Sequence, residues 1–97
     1  MTELYQQRPG IETATLQTDA VLFDETTNRF CVLNSTGSFI WSKLETPTSV
    51  AGLAHAIVNN FRNVTIDTAL KDVESTLEQL ESLTLAVPAG QEGLNHA

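Results

Sequence analysis

The hydrophobic pattern of this chain changes period once, and that single change limits the folds open to it. From Ile11 to Asn34 the apolar residues alternate with polar ones or gather in short β-prone runs, and from Asn34 onward they recur at three- and four-residue spacing. Strands first and helices afterwards, within 97 residues, predict one small α+β domain whose helices cover the apolar face of a sheet. Three strands are expected: a weak one over Thr13–Gln17, then Val21–Asp24 and Arg29–Leu33, joined as an antiparallel hairpin by polar residues that readily bond their own backbone. Three helices follow. Asn34, Ser35 and Thr36 offer caps for the first, which carries Phe39, Ile40, Trp41 and Leu44. Pro47 separates it from the second, where Val50, Leu53, Ala54, Ile57, Val58 and Phe61 form one stripe. The third starts near Thr65 or Asp67 and carries Leu70, Val73, Leu77 and Leu80. Leu85-Ala86-Val87 reads as a short extended end. The expected architecture is winged helix-turn-helix-like, a three-stranded antiparallel sheet followed by three helices. Its expected core includes Phe39, Trp41, Leu53, Ile57, Phe61, Val73 and Leu80. Residues 1–10, ending in the breaker pair Pro9-Gly10, are expected to be a flexible arm, residues 11–87 the folded domain, and residues 88–97 a flexible tail.

Charge narrows the partners. Five Lys and Arg against twelve Asp and Glu give a net charge of −7, which repels nucleic acid and anionic lipid and favours a neutral or basic peptide or protein. The second helix, the natural recognition helix of a winged fold, has no Lys or Arg between Val50 and Phe61, so base edges and phosphates would find no donors there. The N-terminal residues lack a secretion signal and no run is long and apolar enough to span a bilayer, which predicts a cytoplasmic protein with no membrane partner. On that reading the sequons at Asn34 and Asn63 are chance matches.

No catalytic constellation is visible. The glycines are scattered rather than gathered into a phosphate loop, and HExxH, CxxC and GxSxG are absent. Cys31 is the lone cysteine. It has no disulfide partner, and His55 and His96 stand far from it in sequence, so neither a metal nor a cofactor is expected. Cys31 lies between Phe30 and Val32 and reads as a buried thiol. The carboxylates of the third helix have the spacing of a solvated face. An enzyme acting alone is not expected, which leaves a binding module. In Arg29–Leu33 both alternating faces are apolar or sulfur-bearing, Phe30 and Val32 on one and Cys31 and Leu33 on the other, and such a strand wants cover on both sides. Two readings remain open from the residues alone. The first two helices supply all the cover, or the strand borders a groove that an extended peptide fills.

The ordered set Val32-Leu33-Asn34-Ser35-Thr36-Gly37, then Ile40-Trp41, then Thr48-Ser49-Val50-Ala51-Gly52-Leu53-Ala54, then Asp72-Val73-Glu74-Ser75-Thr76-Leu77-Glu78-Gln79-Leu80 resembles the PqqD-like family, over roughly residues 13–87. The resemblance implies a recognition element for ribosomally made, modified peptides. Such an element is not an enzyme. It binds the leader segment of a precursor peptide as an added strand and presents the peptide to a separate maturation enzyme, such as a protease, cyclase or radical enzyme. The family serves lasso peptide, quinone cofactor and mycofactocin pathways, and nothing in this chain selects among them. Carried onto this sequence, the implied peptide-binding residues are Arg29, Phe30, Cys31, Val32 and Leu33 on the strand and Leu70, Asp72, Val73, Thr76, Leu77 and Leu80 on the third helix. Asp72, Glu74 and Glu78 are expected near the groove's rim, favouring a leader with Lys or Arg. Which strand face points inward stays open, because a one-residue slip exchanges the two. Two positions depart from the family. Thr76 stands where an aromatic is common, which implies a shallower pocket, and Thr84 stands where a Gly usually ends the last helix. A winged-helix regulator or a protein–protein adaptor is the alternative.

Overall fold

The computed structural model describes residues 3–89. Its centre is an antiparallel meander. Strand β2 (Ile11–Leu16) pairs with β3 (Asp19–Asp24), which pairs with β4 (Arg29–Leu33), so β3 is central and β4 lies at an edge. The β2–β3 connection is the two-residue turn Gln17-Thr18, with Gln17 at φ 58°. In the β3–β4 turn the Asn28 N–H donates to the Asp24 carbonyl at 2.7 Å, and Asn28 takes the left-handed conformation that asparagine tolerates (φ 60°). The expected three-stranded sheet is therefore present, its first strand starting two residues earlier than the alternation suggested.

Helix α1 (Ser35–Lys43) follows β4 directly. Asn34 is its cap, its side-chain oxygen accepting from the Gly37 N–H at 2.8 Å. Helix α2 (Val50–Asn60) is capped by Ser49 and helix α3 (Ile66–Ser82) by Thr65, each through its hydroxyl oxygen. The core joins Leu22, Cys31 and Leu33 of the meander to Ile40, Trp41 and Leu44 of α1, Leu53 and Ile57 of α2, and Val73, Leu77 and Leu80 of α3. Phe39 and Phe61, expected in that core, are only half-buried and meet edge to face at its margin, ring centres 5.3 Å apart.

The N-terminal arm is a correction. Residues 1–10 are not a free arm, because Leu4–Gln7 forms a strand, β1, at the middle of a second small sheet. It pairs antiparallel with β5 (Thr48–Ser49), just before α2, and with β6 (Ala86–Pro88). Pro88, placed in the expected tail, belongs to β6, while residues 90–97, including His96, lie outside the described residues. Side chains fasten β1 further. The Gln7 amide donates to the Trp41 carbonyl at 2.8 Å, and the Arg8 guanidinium reaches both the Thr84 carbonyl and the Asp24 carboxylate.

Asp24 is a fully buried carboxylate. Its burial alone would raise its pKa, but the Thr26 N–H, the Thr27 hydroxyl and the Arg8 guanidinium outweigh that and hold it below the ordinary aspartate value. A carboxyl depressed in the fold adds stability that is complete above the ordinary value near 3.9 and drains away as pH falls through the folded value. The stability gap between the wild type and Asp24→Asn should therefore be wide at pH 6 and narrow below about pH 4. Urea melts at the two pH values check this, and a gap of constant width would contradict it.

The end of α3 explains the departure at Thr84. The Leu85 N–H donates to the Leu80 carbonyl (2.8 Å) and the Thr84 N–H to the Glu81 carbonyl (3.0 Å), which is a Schellman cap with Thr84 in the position that glycine favours. Thr84 sits at φ 58°, where a β-branched side chain crowds its own backbone. Removing that side chain in Thr84→Gly relieves the crowding, partly offset by a looser unfolded chain, so a net gain of about 0.5–1 kcal/mol is expected. The Arg8 contact survives the change because it uses the backbone carbonyl. A lower denaturation midpoint for Thr84→Gly would refute this account.

Candidate functional site

The open edge of β4 and the flank of α3 enclose a groove of about 420 Å³, lined by Asp19, Val32, Leu33, Asn34, Thr36, Gly37, Asp72, Ser75, Thr76 and Gln79. Among the described residues β4 pairs with β3 alone, so its other edge presents unpaired N–H and C=O groups beside this groove. The two faces of β4, equivalent in the sequence, differ in burial, and the groove takes one residue from each, Leu33 and Val32. Cys31 and Leu33 point inward to the core, whereas Phe30 and Val32 are 67% and 64% exposed. Phe30 stacks on Phe23 across the hairpin, ring centres 4.7 Å apart.

Helix α3 sets the opposite wall, and here the expected lining needs correcting. Val73, Leu77 and Leu80 are buried in the core beneath the sheet, so they support the wall and do not form it. Leu70 packs at the margin of the core and is not part of the lining either. The residues that face the groove are their polar neighbours Asp72, Ser75, Thr76 and Gln79, of which only Asp72 and Thr76 were expected. Glu74 and Glu78 do not rim this groove. They lie with Leu77, Glu81, Ser82, Tyr5 and Val50 along a separate depression on the other flank of α3. There Tyr5 donates to Glu3, and that bond, with burial and the charges of Glu3 and Glu81, pushes its pKa up to about 12. Arg29 is exposed at the start of β4, beyond the groove itself.

Two local features shape the groove. The Gln79 amide donates to the Cys31 sulfur at 3.3 Å, clasping the middle of the strand to α3. Burial pushes the Cys31 thiol up, a shift that the Gln79 contact only partly offsets, so the sulfur stays protonated at neutral pH. At the strand's C-terminal end Gly37 lets α1 start close against β4, since a Cβ there would meet Leu33 Cβ at 3.3 Å and the Asn34 oxygen at 3.4 Å. Among the described residues no group of three or more His, Cys, Asp or Glu is placed to hold a metal ion, and no helix is long and apolar enough to cross a membrane. His55 is exposed on α2, away from the groove.

The model of one protein family, coenzyme PQQ synthesis protein D, matches residues 19–85, from the start of β3 through the cap of α3. The chain belongs to the PqqD family. No curated protein sequence matches it. Two solved structures share its fold. TbiB1 in complex with the TbiA(beta) leader peptide is 25% identical, with a TM-score of 0.73, and the alignment covers 84% of this chain and 93% of that one. A lasso peptide synthetase B1 complexed with its leader peptide is also 25% identical, with a TM-score of 0.72 and coverage of 87% and 98%. Both are thus relatives in shape over nearly their whole length, and each holds a leader peptide.

Proposed function

We propose that this PqqD-family chain binds the leader segment of a ribosomally made precursor peptide and presents it to a separate maturation enzyme. The observation that carries this reading is the unpaired edge of β4 beside a groove walled by α3. An extended peptide laid on that edge satisfies the strand's free backbone groups whatever its sequence, and its alternate side chains enter the groove, which selects among peptides. The solved neighbours lend support, since both were captured with leader peptides. The net charge of −7 and the absence of Lys and Arg from α2 weigh against a winged-helix DNA reader.

The test is a nuclear magnetic resonance titration of the labelled protein with the leader half of a precursor peptide encoded beside it. The expected result is slowed amide exchange along β4 and cross-strand contacts between its backbone and an extended peptide. Contacts confined to any other element would overturn the proposal.

A further inference from the structure

Charge is not spread evenly along the β4 edge. Ala20 pairs with Leu33, so Asp19 lies one step past the C-terminal end of β4, where the groove is also lined by Asn34 and Thr36. Gln79 touches Cys31, and Arg8 ties the C-terminal end of α3 to Asp24, the partner of Arg29, so Asp72, two turns back and about 10 Å away, lies toward the Leu33 end. Both groove carboxylates are therefore at the Leu33 end. At the opposite end of β4 stands Arg29, which makes no ion pair among the described residues. Arg29, Cys31 and Leu33 share one face of the strand, and Arg29 and Leu33 lie about 13 Å apart. Lys71, beside Asp72, is exposed and lies outside the lining.

We infer that this gradient selects the peptide that β4 accepts as an added antiparallel strand: one with a Lys or Arg four residues before an Asp or Glu. The inference rests on β4 being the peptide's seat. Antiparallel addition continues the sheet's own pattern and is the slightly more stable pairing. It sets the peptide's N-terminal end beside Asp19 and Asp72 and its C-terminal end beside Arg29. Residues four apart in a strand face the same way, so both charges turn to the same side. A reversed peptide would bring like charges together at both ends.

The experiment is selection from a displayed library of random twelve-residue peptides, run on the wild type and on Arg29→Glu/Asp72→Lys. Both substituted residues are at the surface or only half-buried, and the amide spectrum of the variant reports its fold. The wild type should enrich a basic residue four positions before an acidic one, and the variant should enrich the opposite order. A peptide chosen by the wild type should bind the variant about 10-fold more weakly, the size of two exposed-to-half-buried charge contacts. Asp19→Asn should weaken the same peptide by less. Peptides that shift β4 amides but show no charge order, or the same order from both proteins, would overturn the inference and leave the peptide seat standing. Selected peptides that shift only amides away from β4, or no enrichment from either protein, would overturn the seat as well.

Discussion

Replacing Trp41 by alanine should remove about 3–5 kcal/mol of stability. The ring is 4% exposed and joins α1 to the meander, and its indole N–H donates to the Thr13 hydroxyl oxygen at 3.1 Å. The same residue's backbone carbonyl accepts from Gln7, so Trp41 links β2, α1 and β1. Domains of this size commonly have about 5–15 kcal/mol in all, and the variant would keep only a fraction of its stability. Trp41→Phe retains most of the bulk and loses the hydrogen bond, so its loss should be smaller, about 1–2 kcal/mol. Urea melts followed by circular dichroism measure both. An unshifted curve for the alanine variant would contradict the placement of the ring.

The second large effect concerns binding. Thr76→Arg places a long charged side chain in the groove from a half-buried position, without touching the core stripe of α3. Leader affinity should fall about 10- to 100-fold, as filling an already shaped site commonly costs about 1–3 kcal/mol. Glu78→Arg makes a larger change of charge on the far flank of the same helix and should leave the affinity within about 3-fold. Calorimetry on the two folded variants separates the cases. Equal losses would mean that general charge, and not the groove, governs binding. Val73→Arg is a poor probe of the same question, because Val73 is wholly buried and the variant would lose its core first.

The meander and the three helices were legible because each declares itself locally. The polar turn before Arg29, the caps Asn34 and Thr65, and the apolar stripe of α3 all act within a few residues. Strand β1 was not legible for the opposite reason. Leu4-Tyr5-Gln6-Gln7 shows little alternation, and it is a strand because Ser49 and Val87, far along the chain, lie on either side of it. Pairing partners at such separation leave no periodic mark. The inward face of β4 was hidden by symmetry of composition, since Cys31 and Leu33 are as apolar as Phe30 and Val32, and their partners Leu22 and Ala20 as apolar as Phe23 and Val21. The groove wall was only partly foreseen, in Asp72 and Thr76, although a fuller signal existed. The most apolar stripe of a helix goes to the core, so a groove beside that helix must be lined by the positions next to the stripe. On α3 those are Asp72, Ser75, Thr76 and Gln79.

The pairing of β1 with β6 has a practical consequence for anyone joining this domain to something else. The Ala89 N–H donates to the Leu4 carbonyl at 2.8 Å, so the two ends of the described chain leave the molecule side by side. They do so from the small sheet, none of whose strands contributes to the groove. A tether at either end therefore starts from one spot, and a catalytic domain hung there by a flexible linker would reach a groove-bound peptide from the same quarter whichever end carried it. A short Gly/Ser bridge between the ends should also close the chain into a ring with the peptide seat undisturbed.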